Sequence, residues 1–319
     1  MSKLELNKIH NYDALSGLKM LDDNSVDCII TSPPYYKLRD YHHDNQLGQE
    51  ETVHEYIDKL IEIMGECYRV LKKDGTLFVV ISDTFNGNKK GKTDAKISYV
   101  KDQTVKKKQD GIMYKSLLGV PSRFDIRMID SGWVKRNEII WHKPNAMPSS
   151  VNDNFTIDYE KVFFYTKEST YYFNQLKEPM KTTDNSSPRG SKGVVGNLNK
   201  GRRKQDCIGK NSSTGFNDRY ETPKDLMRNM RSVWSINTES SNIEHFAMFP
   251  KQLVERLIDA GCRVGGVILD PFMGSGTTAI VAKMKNRDYI GFEINTYYCE
   301  EANDRVEKQP RLLDIFNIE

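Results

Sequence analysis

Val267-Ile268-Leu269-Asp270-Pro271-Phe272-Met273-Gly274-Ser275-Gly276-Thr277-Thr278 reads as a strand, a glycine-rich turn and the start of a helix. Val267 to Leu269 is apolar and Thr277 to Lys285 carries good helix formers, so the pattern changes period across the turn. Glycines there let a ligand approach the backbone closely. A phosphate-binding loop is the obvious competitor, yet no lysine follows Gly276, so G-x-x-x-x-G-K-[ST] fails, as does G-x-G-x-x-G. Beyond the helix, Tyr289-Ile290-Gly291-Phe292-Glu293 reads as the next strand and ends in a carboxylate about two dozen residues past Asp270. Nucleotide-binding βαβ units place an acid there to accept ribose hydroxyls.

A second strand-and-turn lies far upstream, where the apolar run Val26 to Ile30 leads into Thr31-Ser32-Pro33-Pro34-Tyr35. Neither proline can donate a backbone N–H, so the turn presents carbonyls on a rigid backbone without competing donors. The Ser32 hydroxyl and the Pro33 carbonyl are the acceptors that an exocyclic amine needs while it attacks a methyl donor. Tyr35 adds a flat face on which a base can stack. An isolated Pro-Pro after a strand would merely stop the strand. The second motif downstream is what tips the reading toward a site.

Together these segments resemble the beta-class amino-methyltransferases of DNA, which use S-adenosylmethionine and in which S-P-P-Y precedes D-P-F-x-G-S-G-T-T. The resemblance covers nearly the whole chain: Thr31 to Tyr41, Arg69 to Asp83, Ile139 to Pro148 and His245 to Pro250 also look like family blocks in family order. It implies Ser32, Pro33, Pro34 and Tyr35 as the catalytic turn. It further implies Asp13, Phe249, Pro250, Asp270, Phe272, Gly274, Ser275, Gly276, Thr277 and Glu293 around S-adenosylmethionine, and Lys143, Arg202, Arg203 and Lys204 on double-stranded DNA. His245 is assigned no proton transfer. One departure stands out, because relatives follow K-P-N with an arginine and a His-Glu pair. Asn152 to Phe155 and Tyr159-Glu160 occupy those places here.

The implied reaction is direct transfer of a methyl group from the sulfonium to the exocyclic nitrogen of a flipped base, with no covalent enzyme intermediate and no metal. Ser32, rather than Asp or Asn, favours cytosine N4 over the alternative, adenine N6, and a restriction-modification setting with a cognate endonuclease as a partner is the expectation. A protein glutamine methyltransferase and a catalytically silent DNA-binding relative are remoter readings. The first would carry its cofactor motif ahead of the Pro-Pro-Tyr turn, and the second would have lost one of the two turns. Ring-carbon methylation of cytosine is excluded, since it needs a thiolate after a proline and no cysteine here follows one.

The five cysteines, Cys28, Cys67, Cys207, Cys262 and Cys299, are scattered and read as free thiols serving as small core hydrophobes. No apolar run approaches the roughly 20 residues that span a bilayer, and Met1 to Glu5 lacks a signal-peptide core. A cytoplasmic protein, monomer or homodimer, is the expectation.

The net charge of +3 conceals an uneven distribution. Residues 86 to 110 hold eight lysines against three acids, and residues 175 to 231 hold thirteen Lys and Arg against six acids, so the remainder is acidic. The second stretch, rich in Gly, Asn, Ser and Thr, reads as loops; by resemblance it is the target-recognition insert. Residues 1–174, with a basic loop at 86–115, and residues 232–319 are then the catalytic and cofactor halves of one domain.

A helical stripe from Val53 through Ile57, Leu60, Ile61, Met64 and Tyr68 to Leu71 is stopped by Lys72 to Gly75. Thr76 to Ile81 suits a buried parallel strand. Pro250 is expected to open a helix with Leu253, Val254, Leu257 and Ile258 inward, and Gly261 to cap it. The alternation of strand and helix predicts a doubly wound, Rossmann-like α/β methyltransferase sheet with an inserted basic target-recognition region. If Ser32 and Asp270 both end adjacent parallel strands, two motifs some 240 residues apart share one site.

Overall fold

A computed structural model describes residues 4–38, 43, 45–87, 111–179, 227–239 and 250–310. In chain order the described elements begin with β1 (Lys8–His10), α1 (Ala14–Lys19), β2 (Val26–Thr31), α2 (Val53–Val70), β3 (Leu71–Ile81) and α3 (Val120–Asp130). Then come β4 (Val134–His142), β5 (Tyr159–Thr166), β6 (Lys177–Pro179), β7 (Met227–Asn229) and β8 (Val233–Ser235). The last are α4 (Lys251–Gly261), β9 (Val267–Asp270), α5 (Thr277–Met284), β10 (Asp288–Phe292) and α6 (Thr296–Glu307). The chain divides into two compact units: Met1–Asn174 with Arg231–Glu319, and Gln175–Met230.

Within the larger unit an eight-stranded sheet runs in the order β1-β10-β9-β2-β3-β5-β4-β8. The first five strands pair in parallel, as the strand-helix alternation predicts. Such strands are covered on both faces and so read as continuous apolar runs: Leu77 to Ile81 and Cys28 to Ile30 are all essentially inaccessible. β5 then enters antiparallel between β3 and β4, with Phe78 opposite Phe164 and Ile139 opposite Val162. The mixed half of the sheet was not predicted, because pairing direction leaves no local mark.

α2 begins at a capping box: the Thr52 side chain accepts from Glu55 N while the Glu55 carboxylate accepts from Thr52 N. Its buried stripe is Val53, Tyr56, Ile57, Leu60, Ile63, Met64, Cys67 and Val70. Ile61 and Tyr68, expected inward, sit at its margin, where the Tyr68 ring meets Trp133 edge-on at 5.1 Å. Together with Phe124 and Met128 of α3 this stripe covers Leu77, Val79, Phe163 and Tyr165. Each fully buried side chain of this size contributes roughly 1.5 to 3 kcal/mol.

The segment Lys72–Gly75 is a protrusion in the β2–β3 pairing, since Val26 faces Leu71 but Cys28 already faces Thr76. Gly261 does not cap α4 in the left-handed region. It is the last helical residue, and Cys262 caps the helix with extended backbone. Gly261 is small for a different reason: a Cβ there would lie 2.5 Å from the Phe78 ring and from Thr76 Oγ1. Cys28, Cys67, Cys262 and Cys299 are buried free thiols, whereas Cys207 lies outside the described residues. No described helix is long and apolar enough to cross a membrane.

The smaller unit, over its described residues, is an antiparallel ribbon of β6 and β7, pinned by Arg228 on Glu178 at 2.8 Å. The rest of the predicted insert, including Arg202, Arg203 and Lys204, lies outside the described residues, as do most of the basic loop and the His245 to Phe249 stretch.

Candidate active site

β2 and β9 are parallel neighbours, with Cys28 beside Ile268 and Ile29 beside Leu269, so the chain leaves both strands at the same edge of the sheet. The exits are stitched together by Asp270. Its Oδ1 accepts from Thr31 Oγ1 at 2.7 Å and from Phe272 N at 3.0 Å, and its Oδ2 accepts from Thr278 Oγ1 at 2.7 Å. Asp270 is 1% exposed, and burial pushes its carboxyl up to about 6 although these three bonds pull the other way.

The glycine-rich turn is shaped from the other side by Glu293, immediately after β10. Glu293 Oε2 accepts from Gly274 N at 3.1 Å and Oε1 from Asn295 N at 2.9 Å. Burial is again the main influence and raises this carboxyl to about 6. Gly276 starts α5 with φ +84°, a conformation that side chains rarely tolerate. Asp13 caps α1, accepting from Ser16 N at 2.9 Å.

On the opposite side, Tyr56 Oη donates to the Pro34 carbonyl at 2.8 Å and holds the proline turn against α2. Tyr35 Oη donates to Glu160 Oε2 of β5 at 2.5 Å, and Lys143, just beyond β4, pairs with Glu160 Oε1. Lys143 Nζ also lies 4.5 Å from the centre of the Trp141 ring. Burial, and then the Glu160 carboxylate, push the Tyr35 phenol well above its ordinary range. Both turns open into one cavity of about 630 Å³, a size suited to a small-molecule ligand.

The profile of the N6/N4 methyltransferase family, described as DNA methylase, matches residues 26–304. The chain belongs to this DNA methylase family. It is 36% identical over 312 residues to the type II methyltransferase M.Cfr9I of Citrobacter freundii, covering 95% of this chain and 89% of that one. It is 33% identical over 313 residues to M.SmaI of Serratia marcescens, covering 96% and 92%. Among solved structures, TTHA0409 of Thermus thermophilus, a DNA modification methylase complexed with S-adenosyl-L-methionine, matches with a TM-score of 0.57 at 22% identity, over 94% of this chain and 93% of that one. The cytosine-N4-specific PvuII DNA methyltransferase matches with a TM-score of 0.60 at 18% identity, over 99% and 95%. At these identities the structural likeness is one of fold, and it agrees with the Rossmann-like sheet.

In this DNA methylase the cavity wall includes Asp13, Ser32, Pro33, Pro34, Tyr35 and Lys143. Phe272, Gly274, Ser275, Thr277 and Glu293 complete the set of sequence-predicted residues that line it. Asp270, Gly276 and Pro250 are not in the lining: Asp270 ties the strand ends together from behind, Gly276 caps α5, and the buried Pro250 caps α4. Phe249, Arg202, Arg203 and Lys204 fall outside the described residues. Lys143, expected on DNA, is engaged with Glu160, its side chain 19% exposed.

Sequence reasoning missed Glu160 and Trp141 as lining residues. The available signal was a carboxylate one residue into the strand Tyr159–Thr166, ahead of the apolar run Val162 to Tyr165. A lone acid at the mouth of a buried strand needs a partner, and nothing in the local sequence names Tyr35 or Lys143 as that partner.

Proposed function

We propose that this DNA methylase transfers the methyl group of S-adenosylmethionine to the exocyclic amino nitrogen of a base flipped out of duplex DNA, cytosine N4 in the first instance. It would serve as the modification half of a type II restriction-modification pair. The observation that carries the reading is the convergence of the S-P-P-Y turn and the glycine-rich turn, from adjacent parallel strand ends, on one cavity of about 630 Å³.

The cavity's residues fit S-adenosylmethionine. Each Glu293 oxygen already accepts one backbone N–H, and a carboxylate oxygen has a second lone pair, so two ribose hydroxyls have acceptors waiting. Gly274 and Ser275 bring backbone to the cavity wall, and Phe272 supplies an apolar face. When bound, this group supplies a methyl already activated by its sulfonium.

The protein's own contribution is alignment, which supplies roughly 7 to 11 kcal/mol when two reactants are held in line. The Ser32 hydroxyl and the Pro33 carbonyl would accept from the amine and aim its lone pair along the cavity. Tyr35 would stack on the extruded base, worth about 1 to 3 kcal/mol, against a few kcal/mol for unstacking it. The Pro34 carbonyl accepts from Tyr56 Oη, which anchors the turn to α2. Serine at position 32, shorter than aspartate, would hold the amine at a different depth, and the resemblance ties it to cytosine N4. The basic stretch 175–231, with Arg202, Arg203 and Lys204, would supply phosphate contacts and target recognition.

The test is to methylate unmodified DNA with labelled S-adenosylmethionine, digest it to nucleosides and identify the product by mass spectrometry. Label in N4-methylcytidine is expected. Label in N6-methyladenosine would reassign the base and leave the amine chemistry standing. Label in protein and not in DNA would overturn the proposal.

A further inference from the structure

We propose that Glu160 sets the hydrogen-bond direction of the catalytic turn, so that the Ser32 hydroxyl faces the reacting amine as an acceptor. This rests on the amino-methyltransferase reading of the same cavity. A serine hydroxyl both donates and accepts, whereas holding an amine N–H requires acceptance alone. Something outside Ser32 must therefore choose.

The choice is made 125 residues away. An ionised carboxylate only accepts, and Glu160 takes the single proton of Tyr35 at 2.5 Å. With that proton committed, Tyr35 Oη has only lone pairs left, and the group donating to it is Ser32 Oγ at 3.5 Å. That distance is at the outer edge of hydrogen bonding, and catalytic hydrogen bonds are often long before ligand arrives and tighten on binding. The Ser32 proton then points at Tyr35, and its lone pairs point into the cavity.

Lys143 completes the device. It occupies Glu160 Oε1 and leaves Oε2 for the phenol. The side chains of Lys143 and Glu160 are only 19% and 13% exposed, so water competes little for either. Trp141 lies opposite Glu160 in the β4–β5 pairing and carries the Lys143 ammonium over its ring. Glu160 is thus a positioning residue that acts on the amine through two hydroxyls.

Glu160→Gln is nearly isosteric and reverses the direction. Lys143 offers only donors, so it selects the amide oxygen and turns the amide NH2 toward Tyr35. The phenol then donates back to Ser32, whose proton is driven into the cavity. With unmethylated phage DNA and tritiated S-adenosylmethionine, kcat is expected to fall about ten- to a hundredfold. KM for DNA and Kd for S-adenosylmethionine should stay within about threefold.

The double variant Tyr35→Phe/Glu160→Gln should be no slower than Tyr35→Phe alone, because the relay is already cut. A merely structural ion pair would give additive losses, and additivity overturns the proposal. A readout without substrate is the 13C resonance of the Tyr35 Cζ carbon, assigned by its disappearance in Tyr35→Phe. It should move upfield in Glu160→Gln as the bond to a carboxylate is lost, and an unmoved resonance overturns the proposal whatever the reaction is. If the resonance moves but the wild type methylates no DNA amine, the functional reading fails and the hydrogen-bond direction stands. Should Glu160→Gln fail to fold, Tyr35→Phe carries the kinetic test, and full retention of kcat overturns the idea.

Discussion

On the β9–β10 side of the cavity most of the acceptor bonds of Asp270 and Glu293 are local, Thr278 lying 8 residues from Asp270 and Gly274 19 from Glu293, and the one long-range bond is from Thr31, 239 residues from Asp270. On the β2 side, the Tyr35 hydroxyl depends on Glu160, 125 residues distant, and on Lys143 from a third segment. The first side is a local unit of strand, turn and helix, rigid through its own backbone bonds. The second exists only because β4 and β5 pair in one register, Trp141 opposite Glu160. A slip of one residue would turn Glu160 to the other face of the sheet. On the proposed function, chemistry that needs fine orientation would be held by the assembled sheet, and ligand binding mainly by a local turn.

The sharpest way to break this comparison is Ser32→Ala, which removes an acceptor from the β2 side alone. On the proposed mechanism kcat falls about 10²- to 10³-fold, while the Kd for S-adenosylmethionine measured calorimetrically stays constant. A parallel loss of cofactor affinity would mean that the two sides are not separable.

Asp270→Ala attacks the stitch between them. Thr31 and Thr278 lose the acceptor for buried hydroxyls, and unfolding in urea should show a loss of about 2 to 4 kcal/mol. Stability within about 0.5 kcal/mol of wild type would show that Asp270 is not what joins the strand ends.

Glu293→Ala tests the other side. Two hydroxyl bonds to a carboxylate are worth roughly 1.5 to 3 kcal/mol, so calorimetric titration should find S-adenosylmethionine bound about ten- to a hundredfold more weakly. Unchanged affinity removes Glu293 from the ligand site.

The smallest effect sharpens the same point through pH. The Glu293 carboxyl is raised from 4.5 to about 6 in the fold, so the folded protein holds a proton over a window in which the unfolded chain has released it. The stability this contributes is complete below the lower value and lost as pH rises through the upper one. Glu293→Gln has no such dependence. Relative to wild type it should gain up to about 2 kcal/mol between pH 4.5 and 7, read as a growing difference in Tm. A constant difference across that range would mean that the carboxylate is not held against its ionisation.

Local pattern carried much of the architecture. Thr52 and Glu55 announce the start of α2, Thr76 to Ile81 reads as a buried strand, and the residues around Gly274 read as a ligand turn, because capping, period and turn chemistry act within a few residues. Order along the chain also placed Ser32 and Asp270 at the ends of strands, which a parallel sheet brings to one edge. Tertiary structure decided the rest. It set β5 antiparallel between β3 and β4, pressed Gly261 against Phe78, and turned Asp270 away from the cavity into a knot of hydroxyls. It also joined Tyr35 to Glu160 and Lys143. Those outcomes follow from strand register and close packing between segments separated by 17 to 239 residues, and the energies that select them are summed over the whole sheet and written in no single stretch.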